Sequence, residues 1–142
     1  MSAAGKLLVI DDNQAFLDRI QARLQLEGYA VVTSSAPIRA STELPSCDLV
    51  ILDFHMPGLN GSDALRWLRL AATRAGADPM FFLYTGDKVI SHQYQDLGFD
   101  GGMINKGDDE SLVQQVAVAL RLAKLRRRVS KPPRHDESKP PR

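Results

Sequence analysis

Five polar side chains follow directly after apolar segments that are typical of buried strands. They are Asp11, Asp12, Asp53, Thr85 and Lys106. The adjacent acids Asp11 and Asp12 repel each other, and a carboxylate that is brought close to others has a raised pKa. A Mg²⁺ ion would relieve this repulsion because it prefers carboxylate and phosphate oxygens. With a hydroxyl and an ammonium group beside the metal, the set suits transfer of a phosphoryl group onto a carboxylate, which depends mainly on positioning and charge neutralisation.

These five side chains can meet only if the segments before them form parallel strands of one sheet. The predicted strands are residues 6–10, 29–34, 48–52, 80–85 and 101–105. The predicted helices between and after them are residues 14–27, 37–44, 62–75, 88–98 and 108–128. Strands that alternate with helices predict a parallel sheet with helices on both faces. Ligands of such sheets bind in the crevice at the carboxyl ends of the strands, where the five side chains should lie.

The first helix has the clearest start and stop signals. Asn13 is the predicted N-cap and Gly28 the predicted C-terminal stop, while Phe16, Ile20 and Leu24 recur on one face. This spacing predicts an amphipathic helix that packs against the sheet.

Two helices have weaker signals. Residues 37–44 begin with a proline and predict about two helical turns. Residues 88–98 predict a marginal helix, in which Val89, Tyr94 and Leu97 are the candidate packing residues.

Composition places the chain among ordinary single-domain globular proteins. The 142 residues are 44% hydrophobic and 25% charged, which is enough for one core. No apolar stretch reaches the roughly 18 residues of a membrane span, and the N-terminus has no signal-peptide pattern, so we expect a cytoplasmic protein without membrane contact. The single cysteine, Cys47, lies in an apolar segment and is predicted to be a buried, redox-inactive residue.

The charge is distributed unevenly along the chain. From Lys124 onward there are eight cationic and two acidic side chains, a formal charge of +6, so the first 123 residues carry −5 of the overall +1. The tail, residues 129–142, contains two Lys-Pro-Pro units and almost no apolar surface, which predicts disorder. Without a helix-turn-helix pattern, a basic tail predicts at most non-specific, salt-sensitive nucleic-acid binding.

The chain resembles the receiver domains of two-component response regulators over residues 6 to about 126. The resemblance rests on the acid pair, on the segment ILDFHMPGLNG with Met56, Pro57, Gly58 and Gly61, on Thr85 with Gly86, and on Lys106. It implies a flavodoxin-like, doubly wound (βα)5 α/β fold, with a five-stranded parallel sheet in the order 2-1-3-4-5. We expect a receiver domain over residues 1–128, followed by the disordered tail.

The resemblance also implies a role for each site residue. Asp53 would accept the phosphoryl group, and Thr85 and Lys106 would contact its oxygens. Mg²⁺ would be held by Asp11, Asp12, Asp53 and the backbone carbonyl of His55, with Asp12 in direct contact and Asp11 mainly through water.

The resemblance extends to partners and output. A sensor histidine kinase or a histidine phosphotransfer protein would donate the phosphoryl group. The surface formed by the fourth helix, fifth strand and fifth helix would then engage a downstream protein target, or a second copy in a phosphorylation-linked homodimer. Apart from its own phosphorylation and dephosphorylation, the domain would not act as an enzyme, and it would work as a stand-alone receiver.

Two positions depart from the family pattern. Gly107 follows Lys106 where receivers usually have proline, and Met103 stands three residues before Lys106 where they often have a Tyr or Phe rotamer switch.

Three alternatives follow from the sequence. One is a pseudo-receiver that works as an interaction module without phosphorylation. Another is the receiver part of a longer DNA-binding regulator. The third is a phosphohydrolase, which usually carries an acid/base Asp two residues after the nucleophile, where this chain has His55.

Overall fold

A five-stranded parallel sheet forms the centre of the computed structural model, which describes residues 4–55 and 60–130. The strands are β1 (Lys6–Ile10), β2 (Ala30–Ser34), β3 (Leu49–Asp53), β4 (Met80–Thr85) and β5 (Gly101–Ile104). Their order is β2-β1-β3-β4-β5, and every neighbouring pair is parallel. The predicted flavodoxin-like order is therefore confirmed.

Helices cover both faces of the sheet. They are α1 (Gln14–Leu26), α2 (Pro37–Ala40), α3 (Gly61–Arg74), α4 (Lys88–His92) and α5 (Asp109–Ser130), with a 3₁₀ segment at Ser41–Ser46. Alternate strand residues point to opposite faces and divide the core into two layers. One layer lies under α1 and α5, and the other lies under α3 together with the segments around α2 and α4. Strands buried on both faces need continuous apolar runs, which explains segments such as KLLVI and MFFLY.

The caps of α1 agree with the sequence prediction. The Asn13 side chain accepts a hydrogen bond from the backbone N–H of Phe16 at 3.1 Å. Gly28 follows the helix with a φ of +94°, a conformation that favours glycine. These two residues therefore mark the start and the end of α1, which begins directly after the acid pair.

The two weakly predicted helices are shorter than expected. α2 is a single turn that continues as the 3₁₀ segment, because Pro45 lacks the backbone N–H that a longer α-helix would use. α4 ends at His92, and its β-branched and polar residues have low helix propensity. Tyr94 and Leu97 pack against the core as predicted, whereas the prediction for Val89 is wrong because its side chain is 64% exposed.

Three further predictions concern the ends of the molecule and its surface. Cys47 is buried as predicted, and burial raises the pKa of its thiol to about 11. α5 continues to Ser130, so the first two residues of the predicted tail are helical, while residues 131–142 lie outside the described residues. Within the described ranges, no helix has the length and apolar character needed to cross a bilayer.

Candidate functional site

Three carboxylates meet at the carboxyl edge of the sheet. Asp11 follows β1 and Asp53 ends β3, and these strands are neighbours in register, with Ile10 opposite Leu52. One carboxylate oxygen from each of Asp11, Asp12 and Asp53 lies within 4.8 Å of the others. The architecture thus brings together the acids that were predicted to share a metal site.

Backbone N–H groups fix the orientation of two of these acids. The N–H of Asn13 donates to Oδ1 of Asp11 at 2.9 Å, and the N–H of His55 donates to Oδ1 of Asp53 at 3.1 Å. Each carboxylate is therefore held by the backbone two residues after it, in an Asx turn. The turns leave the second oxygen of each carboxylate for other partners.

The acids differ in exposure, and this affects their protonation. Asp11 is buried, Asp53 is half-buried and Asp12 is exposed. Burial, with a smaller contribution from the negative charge of Asp53, raises the pKa of Asp11 to about 7 against the lowering effect of the Asn13 N–H. Burial is also the main reason why the pKa of Asp53 is raised. A cation at this point would offset both effects, so the donor set and its crowding fit a hard divalent ion such as Mg²⁺.

The acids line an open cleft of about 410 Å³. Its other walls come from the start of α1, the end of β4 and the loop after β5, and its lining residues are Asp11, Asp12, Asn13, Phe16, Arg19, Asp53, His55, Tyr84, Thr85, Gly86 and Asn105. Thr85 is buried, and its Oγ1 accepts a hydrogen bond from the N–H of Asp87 at 3.1 Å. The hydroxyl hydrogen of Thr85 can therefore be donated to a group in the cleft.

The loop after β5 presents Asn105 to this cleft. Ile104 is opposite Thr85 in the sheet, and the N–H of Asn105 donates to the Thr85 carbonyl at 2.8 Å. The next residue, Lys106, is exposed, and it precedes a turn in which Oδ1 of Asn105 accepts from the N–H of Gly107 at 2.9 Å. Asn105 therefore lines the cleft, whereas the predicted Lys106 is the next residue along the chain and is not among the described lining residues.

Aromatic and cationic residues of the cleft were not predicted from the sequence. The rings of Phe16 and Tyr84 are stacked, with centroids 5.6 Å apart, and the guanidinium of Arg19 lies 5.5 Å from the Phe16 centroid. Burial raises the pKa of Tyr84, so its phenol stays protonated and remains a donor. Two features of the sequence could have indicated these residues. Tyr84 directly precedes Thr85, and Phe16 and Arg19 are three residues apart, which places them on one helix face.

A family model described as the response regulator receiver domain matches residues 7–117. The chain belongs to this family. A transcriptional regulatory protein CpxR homolog of Haemophilus influenzae is 29% identical over 117 residues, which cover 82% of this chain and 50% of that protein. The chain spans half or less of the length of these curated relatives that it matches.

Solved receiver structures share the fold. A receiver domain protein from Clostridium thermocellum is 28% identical with a TM-score of 0.65, and the match covers 85% of this chain and 98% of that one. The chemotaxis protein CheY4 of Vibrio cholerae has a TM-score of 0.68 at 20% identity, covering 82% of this chain and 99% of that one. The second likeness supports the fold alone.

β5 of this receiver presents Met103 and Gly102 to opposite faces of the sheet. Met103 is 1% exposed and packs in the layer under α1 and α5, opposite Tyr84. The residue that faces α4 is Gly102, where an added Cβ would lie 2.5 Å from the Ser91 carbonyl oxygen. Met103, which stands three residues before Lys106, therefore packs inward, and the position of β5 that faces α4 has no side chain.

The backbone conformation after Lys106 explains why glycine, and not proline, stands at position 107 of this receiver. Its φ is +86°, a conformation that is open to glycine and closed to proline, whose ring holds φ near −65°. The turn after Lys106 thus differs from that of receivers with proline at this point.

The segment after the acceptor is described only in part. Residues 56–59, which include the predicted signature residues Met56, Pro57 and Gly58, lie outside the described residues. Gly61 begins α3, and an added Cβ would lie 2.7 Å from the Phe54 ring. A glycine at this point lets α3 begin close to the loop that carries Asp53 and His55.

Proposed function

We propose that this receiver is a phosphorylation-dependent signalling switch in which Asp53 accepts the phosphoryl group. The donor would be a phosphohistidine of a sensor histidine kinase or of a phosphotransfer protein. The P–N bond to the imidazole breaks, a P–O bond to the Asp53 carboxylate forms, and the imidazole leaves with the electron pair. The observation that carries the proposal is the meeting of three carboxylates within 4.8 Å at an open cleft bordered by Thr85.

Asp11, Asp12, Asp53 and the backbone carbonyl of His55 would hold Mg²⁺. When bound, the ion neutralises the charge that builds up between the carboxylates and the incoming phosphoryl oxygens. The chain's own contribution is orientation, because the N–H groups of Asn13 and His55 hold two of the carboxylates in place. With Oδ1 of Asp53 bound to the His55 N–H, Oδ2 is the oxygen that we assign to the attack.

Thr85 and Lys106 would contact the phosphoryl oxygens. The Thr85 hydroxyl is positioned by the Asp87 N–H and has a hydrogen to donate. Lys106 is exposed, so its ammonium would reach the group on its four-carbon side chain from the turn after β5. A hydrogen bond from Thr85 would move the end of β4 toward the phosphoryl group and thereby disturb the neighbouring surface.

The output surface that we propose is formed by α4, β5 and α5. A groove of about 430 Å³ lies there, with the backbone of Gly101 and Gly102 in its lining and Tyr94 beside it. On α5, Val118 and Leu122 are partly exposed next to the groove. This surface would bind a downstream protein target, or a second copy of the receiver in a phosphorylation-linked homodimer.

A second candidate role is that of a receiver within a longer DNA-binding regulator. The observation that favours it is the match to a protein named as a transcriptional regulatory protein, of which this chain covers half. In that case the switch at Asp53 would be the same, and specific DNA contacts would come from another part of the protein.

Phosphorylation of the receiver with a small phosphodonor and Mg²⁺ tests the proposal directly. We expect the intact mass to increase by one phosphoryl group in the wild type, and no increase in Asp53→Asn or in the presence of a chelator. Asp63→Asn, which changes an exposed acid of α3, is the matched control and should be labelled normally. A wild-type protein that is folded yet never labelled would favour the pseudo-receiver alternative.

A further inference from the structure

The proposed phosphorylation cleft has a cation that the family pattern does not supply. Among the described residues that line it, Arg19 is the one Lys or Arg side chain. It extends from α1 into the cleft wall that also carries Asp53 and the acid pair. The wall near β5 is instead supplied by Asn105, which is neutral, while Lys106 is exposed in the adjoining turn.

Arg19 is held at the cleft by contacts that it can exchange. Its Nε and Nη2 donate to the two carboxylate oxygens of Asp109 at 2.7 and 3.2 Å. Its guanidinium also lies over the Phe16 ring, which stacks on Tyr84. The Arg19 side chain is 58% exposed, and exposed ion pairs are weak because water and salt screen them, so Asp109 is a partner that a stronger anion can displace.

The charge in the cleft makes such an exchange favourable once Asp53 is phosphorylated. Three carboxylates already meet there, and phosphorylation adds a dianionic group beside them. One divalent ion leaves an excess of negative charge at this point. The planar guanidinium fork matches two phosphoryl oxygens and forms charge-assisted hydrogen bonds with them.

We propose that Arg19 is a phosphoryl-binding residue of this receiver, which exchanges Asp109 for the oxygens of the phosphorylated Asp53. The inference rests on the proposed function, because it assumes that Asp53 is the acceptor. The exchange breaks the α1–α5 ion pair at the N-terminus of α5. The second pair between these helices, Arg23 with Glu110, lies outside the cleft and stays intact.

Binding of beryllofluoride, an analogue of the phosphoryl group on a carboxylate, measures the role of Arg19. Fluorine NMR of the full chain with Mg²⁺ gives the affinity for the adduct without enzymatic activity as the readout. We expect Arg19→Gln to weaken beryllofluoride binding about tenfold, because the variant loses a charge-assisted contact to the anion. Arg23→Gln is the matched control on the same helix, and we expect a change of less than about twofold.

The sign of the effect at Asp109 separates a phosphoryl-binding role from a structural one. Arg19→Gln and Asp109→Asn both break the same ion pair, so a purely structural pair predicts the same effect for both. If Asp109 competes with the phosphoryl group for Arg19, Asp109→Asn should instead tighten beryllofluoride binding about two- to fivefold. Opposite directions for the two variants support the inference.

Other outcomes distinguish a failure of the inference from a failure of the proposed function. If the wild type binds beryllofluoride and Arg19→Gln binds as tightly as Arg23→Gln, Arg19 has no contact with the group. If the wild type forms no adduct, while remaining folded by circular dichroism, the proposed function itself is wrong.

Discussion

Asp11 is the acid of the site whose charge conflicts most with its surroundings. Its carboxylate is buried beside Asp12 and Asp53, and its pKa is raised to about 7 from the ordinary value of 3.8. A group whose folded pKa is above its unfolded value binds more protons in the folded state. The free energy of unfolding therefore falls as the pH rises from about 4 through about 7, when no metal is present.

Asp11→Asn should consequently stabilise the metal-free protein at alkaline pH. The amide can still accept the hydrogen bond from the Asn13 N–H, and it carries no charge. We expect a gain of roughly 1 to 3 kcal/mol in the free energy of unfolding at about pH 8, which shrinks toward pH 4. Urea unfolding in the presence of a chelator measures this gain. Asp18→Asn, an exposed acid of α1, is the control, and equal effects of the two variants would contradict the prediction.

At the scale of elements, two glycines at the start of β5 allow close packing, Gly101 against Phe82 of β4 and Gly102 against Ser91 of α4. An added Cβ at Gly101 would lie 2.3 Å from the Phe82 ring, and at Gly102 it would lie 2.5 Å from the Ser91 carbonyl oxygen. The contact at Gly102 is with backbone, so a larger residue must displace α4. The same pair of glycines forms part of the lining of the groove in the proposed output surface.

Gly102→Ala should destabilise the receiver because α4 cannot retreat without losing its packing. We expect a loss of about 1 to 3 kcal/mol in the free energy of unfolding, as for other overpacked positions, measured by urea denaturation. Gly86→Ala is the control, since its added Cβ would meet nothing closer than the Asn105 carbonyl oxygen at 3.9 Å. If Gly102→Ala unfolds at the same urea concentration as the wild type, α4 does not pack as closely against β5 as the structure indicates.

At the scale of the whole molecule, the metal site joins segments that are distant in the chain. Asp11 and Asp53 are 42 residues apart, and only the paired β1 and β3 bring their carboxylates together. The unfolded chain has no such site, so an ion that binds there stabilises the folded state by mass action.

Mg²⁺ should therefore raise the thermal stability of this receiver. At about ten times its dissociation constant the ion would add about 1.4 kcal/mol to the free energy of unfolding, a rise of a few degrees in the melting temperature. Thermal unfolding followed by circular dichroism, with NaCl at matched ionic strength as the reference, measures the effect. Asp12→Asn should abolish most of it, and an equal rise in that variant would place the ion elsewhere.

The sequence by itself determined the parts of this protein that depend on local pattern. Strands that alternate with helices imply a parallel sheet, and a parallel sheet places its carboxyl ends at one edge, so the meeting of Asp11, Asp12 and Asp53 could be predicted. The caps at Asn13 and Gly28 could be predicted for the same reason, since capping acts through immediate neighbours.

Tertiary structure decided the features that depend on register and on contacts between distant elements. The pairing of Ile104 with Thr85 places Asn105 in the cleft wall and Lys106 in the next, exposed turn. A shift of one residue reverses the face of a strand, so only the register decides that Met103 packs under α1 and α5 while Gly102 faces α4. The position of Arg19 in the cleft also depends on tertiary contacts, because α1 packs over β4 and Arg19 pairs with Asp109 of α5. Its three-residue spacing from Phe16 indicates a shared helix face but does not place that face at the cleft.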